Sequence, residues 1–142
     1  LLVSYPRKYE KGRVYKNMVS AMDILPSICE EVKIKIPNYV DGISLSPLLQ
    51  GINENIQHDY LFWDTGHEIA VRKGNWKLRK SFNDKEAKYE MVELELGEFL
   101  NNLDIDVEER VNLIYKEVKI EKELNELYKK WKNYVTNSKT EE

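Results

Sequence analysis

The sequence predicts an α+β fold, a small antiparallel sheet covered by a C-terminal helix and preceded by a strand–helix unit. Three patterns carry that prediction. Residues from Tyr60 to Leu96 alternate with a period of two, the signature of half-buried strands. Ile120, Leu124, Leu127, Trp131 and Val135 recur at spacings of four and three, which places them on one face of a helix. Val19, Met22, Leu25, Ile28 and Cys29 show helical spacing near the start of the chain.

Taken in order, Leu1-Leu2-Val3-Ser4 is an apolar run closed by Tyr5-Pro6 and reads as an interior strand. No hairpin partner lies nearby, so its neighbours are expected outside the chain, which then reads as the C-terminal part of something larger. Arg7 to Lys16 is a basic loop, with Lys8, Lys11, Arg13 and Lys16 around Gly12. Ser20 followed by Asp23 resembles a capping box with Asp in place of Glu, so Asp23 is read as an N-terminal helix acid that accepts backbone N–H groups. Pro26 falls inside the helical pattern, where the helix either restarts or kinks. Ile34 to Pro37 alternates briefly. Asp41-Gly42 reads as a turn, and Pro47 marks further loop.

Lys73-Gly74-Asn75-Trp76 carries a two-residue hairpin turn. That turn sets Val71 opposite Leu78, Arg72 opposite Lys77 and Lys73 opposite Trp76, with Ala70 and Arg79 on the Arg72/Lys77 face. The alternation slips at Met91/Val92, as at a bulge. The terminal helix has acids early (Glu121, Glu123, Glu126) and bases late (Lys129, Lys130, Lys132), matching the helix dipole, and Glu126 stands four residues before Lys130. Thr136 to Glu142 reads as a frayed polar tail.

A chain of 142 residues is close to the commonest single-domain size. Its 42% hydrophobic and 11% aromatic content is enough for a core and excludes a disordered chain. No apolar run approaches the roughly 20 residues that span a bilayer, and Leu1 to Pro6, without Met or a charged n-region, do not read as a signal peptide. The compartment stays open. A net charge of -3 gives no reason to expect nucleic acid. The single cysteine, Cys29, excludes an internal disulfide framework and a multi-cysteine zinc site.

Four segments in order resemble the C-terminal part of the type I sulfatases of the alkaline-phosphatase-like superfamily. Val19-Ser20-Ala21-Met22-Asp23-Ile24-Leu25-Pro26-Ser27 is similar to that family's S-x-x-D-x-x-P-T helix, with Ser27 for Thr. Asp41 to Gly51 resembles its DG-x-SL-x-P-x-L-x-G loop. Leu61-Phe62-Trp63, then Ala70 to Leu78, resemble L-F-W followed by AVR-x-G-x-WKL. Leu100 to Leu113 resembles LYDL-x-x-DP-x-E-x-x-NL, with Asn101 for Tyr and Val107 for Pro.

The resemblance implies that residues 1–57 form the terminal strand–helix–loop portion of a sulfatase catalytic domain of the alkaline-phosphatase-like α/β type. Residues 58–135 would form the C-terminal subdomain, and 136–142 the tail. It implies a parent enzyme, a sulfuric ester hydrolase, that uses formylglycine and calcium on a sulfated sugar or aryl sulfate. This chain would lack both nucleophile and metal site and be inactive alone. Its partner would be the missing N-terminal catalytic portion, with no nucleic acid and no membrane. The family's nucleophile sits in C/S-x-P-x-R, whereas Cys29 precedes Glu30-Glu31-Val32-Lys33, so Cys29 is read as core. Asp104 and Asp106 lack the glycine and terminal glutamate of an EF-hand loop and are read as preceding and capping a helix.

Candidate substrate contacts are His67, Arg72, Lys77 and Trp63. His67 lies in the loop Asp64-Thr65-Gly66-His67-Glu68, beside the aromatic Trp63 and ahead of a basic strand. Arg72 opposite Lys77 is a like-charge pair, unfavourable by up to ~1 kcal/mol unless an anion intervenes. A nearby carboxylate or a sulfated ligand would serve, and the other reading is a solvated basic face or salt bridges to Asp and Glu of the adjacent strand. By resemblance, loops of this subdomain help form the substrate pocket, which makes these residues rim candidates. His58 shows no partner pattern and is read as surface. Two other functions stay open: a phosphonate or phosphodiester hydrolase of the same superfamily, and a non-catalytic binding module on the same fold.

Overall fold

The computed structural model describes residues 1–82 and 96–138, so the bulge expected at Met91/Val92 lies outside the described residues. The chain divides into two compact units, Leu1–Asp59 and Tyr60–Glu142.

In the first unit, Ala21–Asp23 form a 3-10 turn that leads into helix α1, Ile24–Glu31. The helix therefore restarts and does not kink, with Pro26 in its first turn, where the missing N–H costs nothing. Pro26 and Cys29 are buried, in keeping with a core role for Cys29, while Met22, Leu25, Ile28 and Val32 are exposed. Leu1–Ser4 is not a strand. It is irregular, and Leu2 is 91% exposed, because no described residue offers it a ladder of N–H and C=O groups. Ile34–Pro37 likewise forms no strand.

A short helix, α2 (Ser46–Leu49), follows with Leu45 and Leu48 buried. It is tied to α1 through Glu31, which accepts hydrogen bonds from Lys8 Nζ (2.7 Å), Tyr9 OH (2.6 Å) and Ser46 Oγ (2.5 Å). Those donors, Lys8 foremost, hold the Glu31 carboxyl down at about 2. Burial and the same carboxylate push the Tyr9 phenol up to about 12.

A carboxyl held below its unfolded value stabilises the fold above that value and loses this contribution as pH falls. The thermal midpoint of the first unit should therefore fall as pH drops from about 4.5 to about 2. Glu31→Gln should flatten that fall, and unfolding scans across this range, wild type against variant, check it. Equal acid slopes would remove Glu31 as the cause.

Among its described residues, the second unit holds a four-stranded antiparallel sheet in the order β1-β2-β3-β4. Its strands are β1 (Tyr60–Asp64), β2 (Glu68–Lys73), β3 (Trp76–Ser81) and β4 (Gly97–Asn102). Val71, Leu78 and Leu100 pack with Ile114 and with Leu124 of helix α3, Val118–Ser138. Phe62, Trp76, Ile120, Leu127 and Tyr128 flank this core, and Phe62 stacks on Trp131 with ring centroids 5.0 Å apart.

The outer edge of β4 is covered. Leu100 N–H donates to Asn112 Oδ1 (3.0 Å), Asn112 Nδ2 donates to Glu98 O (2.9 Å) and Leu113 N–H donates to Leu100 O (2.8 Å). One side-chain amide thus stands in for a neighbouring strand and blocks edge pairing.

Three expectations are corrected here. The helix continues through Thr136 to Ser138 where a frayed tail was expected. Glu126 makes its ion-pair contact with Lys129 at i+3, and Lys130 at i+4 adds a favourable charge without that contact. Asp106 caps no helix: its carboxylate accepts the N–H groups of Arg110 (3.1 Å) and Val111 (2.8 Å), closing a loop well before α3 begins.

Candidate functional site

The Gly74-Asn75 turn sets the hairpin register, with Gly74 at φ +54°, a conformation glycine adopts without strain. Arg72 then faces Lys77, Val71 faces Leu78 and Lys73 faces Trp76, as the turn predicts. On the other side of β2, Leu61 faces Arg72 and Trp63 faces Ala70. Side chains alternate along each strand, so Trp63, Arg72, Lys77 and Arg79 share one face of the sheet, while Val71 and Leu78 share the face packed on α3.

The anion beside Lys77 is a carboxylate. Lys77 Nζ donates to Glu109 Oε1 at 2.6 Å, with both side chains about a quarter exposed. Glu109 comes from the loop after β4 and not from the adjacent strand, and it sits at φ +57°, an uncommon conformation for a residue with a side chain. Arg72 Nε donates to Gly74 O (3.1 Å), and among the described residues no carboxylate pairs with Arg72. Arg79 lies over the Phe99 ring at 4.3 Å and bonds Glu68 at 3.3 Å, which is the expected adjacent-strand pairing.

His67 is half-buried in the loop between β1 and β2. It sits at the end of the sheet away from the Gly74 turn, five residues from Arg72, a strand distance of about 16 Å. The four candidates therefore do not form one cluster. Trp63 lies next to the His67 loop, and Arg72 with Lys77 lies at the far end.

The loop's shape comes from Asp64, which sequence reasoning missed although Asp two residues before Gly is a local signal for an Asx turn. Asp64 Oδ1 accepts Gly66 N–H (2.9 Å), and Oδ2 accepts Tyr128 OH (2.8 Å) and Lys132 Nζ (2.6 Å). Lys132 first, with help from Tyr128 and Gly66, holds the Asp64 carboxyl below the usual carboxylate range. Burial and the Asp64 carboxylate push the Tyr128 phenol up to about 12.

In the first unit, Asp23 is fully buried and does what a helix N-terminal acid does. Ser20 N–H donates to its Oδ2 (2.7 Å) and Ile43 N–H to its Oδ1 (2.9 Å). His58 is not surface: its Nε2 is 2.7 Å from Asp23 Oδ1 with the ring only 10% exposed. Asp41-Gly42 is not a turn. Gly42 instead lies against the Met22 backbone, whose carbonyl oxygen is 2.1 Å from where a Cβ would stand.

Cys29 lies inside α1 without the proline and arginine of a formylglycine motif. Among the described residues, no group of three or more His, Cys, Asp or Glu side chains could hold a metal ion. The residues described here therefore do not fit either a formylglycine or a calcium ion. No described helix is long and apolar enough to cross a membrane.

An antiparallel sheet backed by one long helix, with this motif order, is the C-terminal architecture of sulfatases of the alkaline-phosphatase-like fold. The family model described as "N-sulphoglucosamine sulphohydrolase, C-terminal" matches residues 1–137, and the chain belongs to that family. It is 35% identical over 83 residues to the steryl-sulfatase of Mus musculus, covering 54% of this chain and 13% of that protein. It is 31% identical over 120 residues to a Delta 4,5-hexuronate-2-O-sulfatase of Bacteroides thetaiotaomicron, covering 83% of this chain and 24% of that protein. A solved structure of a 2-O GAG sulfatase superposes with a TM-score of 0.55 at 30% identity, over 82% of this chain and 24% of that one. The chain thus spans a quarter or less of the length of each of these relatives.

Proposed function

We propose that this chain completes a sulfuric ester hydrolase acting on a sulfated sugar, and that its β1–β2 loop forms part of the substrate rim. The family match over residues 1–137 carries the reading. A hexuronate-2-O-sulfatase and a 2-O GAG sulfatase among the relatives support the substrate class. In this reading formylglycine and calcium belong to the N-terminal catalytic portion, since the described residues fit neither. The exposed apolar side chains on and flanking α1 (Leu25 and Ile28, with Met22 before it and Val32 after it) suit packing against that portion, because exposed apolar patches mark interaction surfaces.

The rim consists of His67 and Trp63. The imidazole offers a hydrogen bond or, protonated, a charge to a sulfate or hydroxyl. Trp63, 44% exposed, supplies an apolar wall for a sugar ring. Arg72 and Lys77 lie on the Trp63 face of the sheet, too far from the His67 loop to touch the same sulfate, and Glu109 already neutralises Lys77.

His67→Ala in the longer enzyme should raise KM for a sulfated oligosaccharide about tenfold, the worth of one lost hydrogen bond to a charged group. A small aryl sulfate that stops short of the rim should change less than twofold. Steady-state kinetics on both substrates check this. Equal losses on the two would indicate a folding defect, and no loss on either would remove His67 from the rim.

A further inference from the structure

We infer that Asp64 is a positioning residue for the substrate rim, fastening the β1–β2 loop to helix α3 and so setting the place of His67. The inference rests on the rim reading above and adds the device that holds the rim in shape.

Asp64 is the last residue of β1, and its side chain is 11% exposed. Its two oxygens accept three donors from two elements: Gly66 N–H in the loop, and Tyr128 OH and Lys132 Nζ on α3. Tyr128 and Lys132 stand four apart and so share one helix face. Phe62, two residues before Asp64 and on the same side of β1, stacks on Trp131 of that helix. The end of β1 is thus held by an apolar contact and an ionic one in succession.

The loop beyond is closed tightly. Thr65 N–H donates to Glu68 O (2.9 Å), Glu68 N–H to Thr65 Oγ1 (3.0 Å) and Phe82 N–H to His67 O (2.9 Å). Gly66 takes φ +86°, which the Asp64–Gly66 bond accompanies. Removing the Asp64 carboxylate releases Gly66 N–H and leaves Tyr128 OH and Lys132 without their acceptor. The turn that carries His67 then loses its tie to the helix.

The test has two arms. In this chain, Asp64→Ala should shift the His67 ring resonances in a proton–carbon NMR spectrum and speed Gly66 amide exchange about tenfold. Tyr128→Phe, a milder change that keeps the Lys132 contact, should move both in the same direction by less. Glu123→Gln removes a different sheet–helix ion pair, to Lys73, and should leave both unchanged. Unmoved His67 and Gly66 signals in Asp64→Ala and Tyr128→Phe would overturn the inference, as would equal movement in Glu123→Gln.

In the longer enzyme, Asp64→Ala should raise KM for a sulfated oligosaccharide by the same factor as His67→Ala. The double variant should add nothing further. Factors that multiply would show that Asp64 does not act through His67. A KM unaffected by His67→Ala would remove the rim reading alone, and the NMR arm would still decide the positioning.

Discussion

Asp23→Ala is expected to cost the first unit about 3–5 kcal/mol, the sum of several polar groups left without their acceptor at about 1–3 kcal/mol each. Asp23 is fully buried and gathers three separate segments. It accepts Ser20 N–H just before the 3-10 turn, Ile43 N–H after the Asp41-Gly42 stretch, and meets His58 at the end of the unit. Alanine would leave two part-buried N–H groups and an imidazole without their acceptor, and each orphan carries a desolvation cost. Denaturant unfolding followed by tyrosine fluorescence checks the size, and amide exchange at Ser20 and Ile43 checks the location. A shift under about 1 kcal/mol would mean that water replaces the carboxylate freely, and the buried network would lose its structural role.

Gly42→Ala should be nearly as severe for a different reason. The added Cβ would lie 2.1 Å from Met22 O, 2.6 Å from Met22 C and 3.1 Å from Asp23 N. All three are backbone atoms, so no rotamer change relieves the clash. One of the two segments must retreat, and Ile43 N–H would leave Asp23 with it. Overpacking of this kind costs about 1–3 kcal/mol, and loss of the adjoining hydrogen bond adds about 1 kcal/mol. Gly12→Ala is the contrast: nothing lies within 4 Å of its Cβ position, and the cost there is only that of φ +77°. If Gly42→Ala melts no lower than Gly12→Ala, the close approach at Met22 is not a constraint.

The second unit was the more legible in the sequence, and the physics explains why. Strand alternation and a Gly-Asn turn are local signals, so the β2–β3 register, with Arg72 against Lys77, followed from a two-residue turn. The α3 face followed from one periodicity. What was not legible depends on residues far apart in the chain. His58 looks like surface because its partner Asp23 lies 35 positions earlier. Glu109 reaches Lys77 across 32 positions, and Tyr128 reaches Asp64 across 64. No periodicity reports such pairs.

The apolar run Leu1–Ser4 shows the opposite failure. Its composition favours a strand, but a strand exists only where another backbone completes its ladder. The candidate site was read in the same mixed way. Its members were identified by residue type and motif, whereas their distribution along the sheet, with His67 at one end and Arg72 and Lys77 at the other, is a property of the strand pairing.

In the proposed function, this chain shapes and holds part of a substrate rim while the sulfur chemistry belongs to the portion of the enzyme that carries the nucleophile. Aryl sulfate hydrolysis by the purified chain, run beside a longer protein in which a C/S-x-P-x-R catalytic portion is joined to it, tests it most directly. The account predicts turnover by the longer protein and none by the chain alone. Turnover by the chain alone that survives repurification and disappears in Cys29→Ala would contradict it, because a catalytic nucleophile would then lie within these 142 residues.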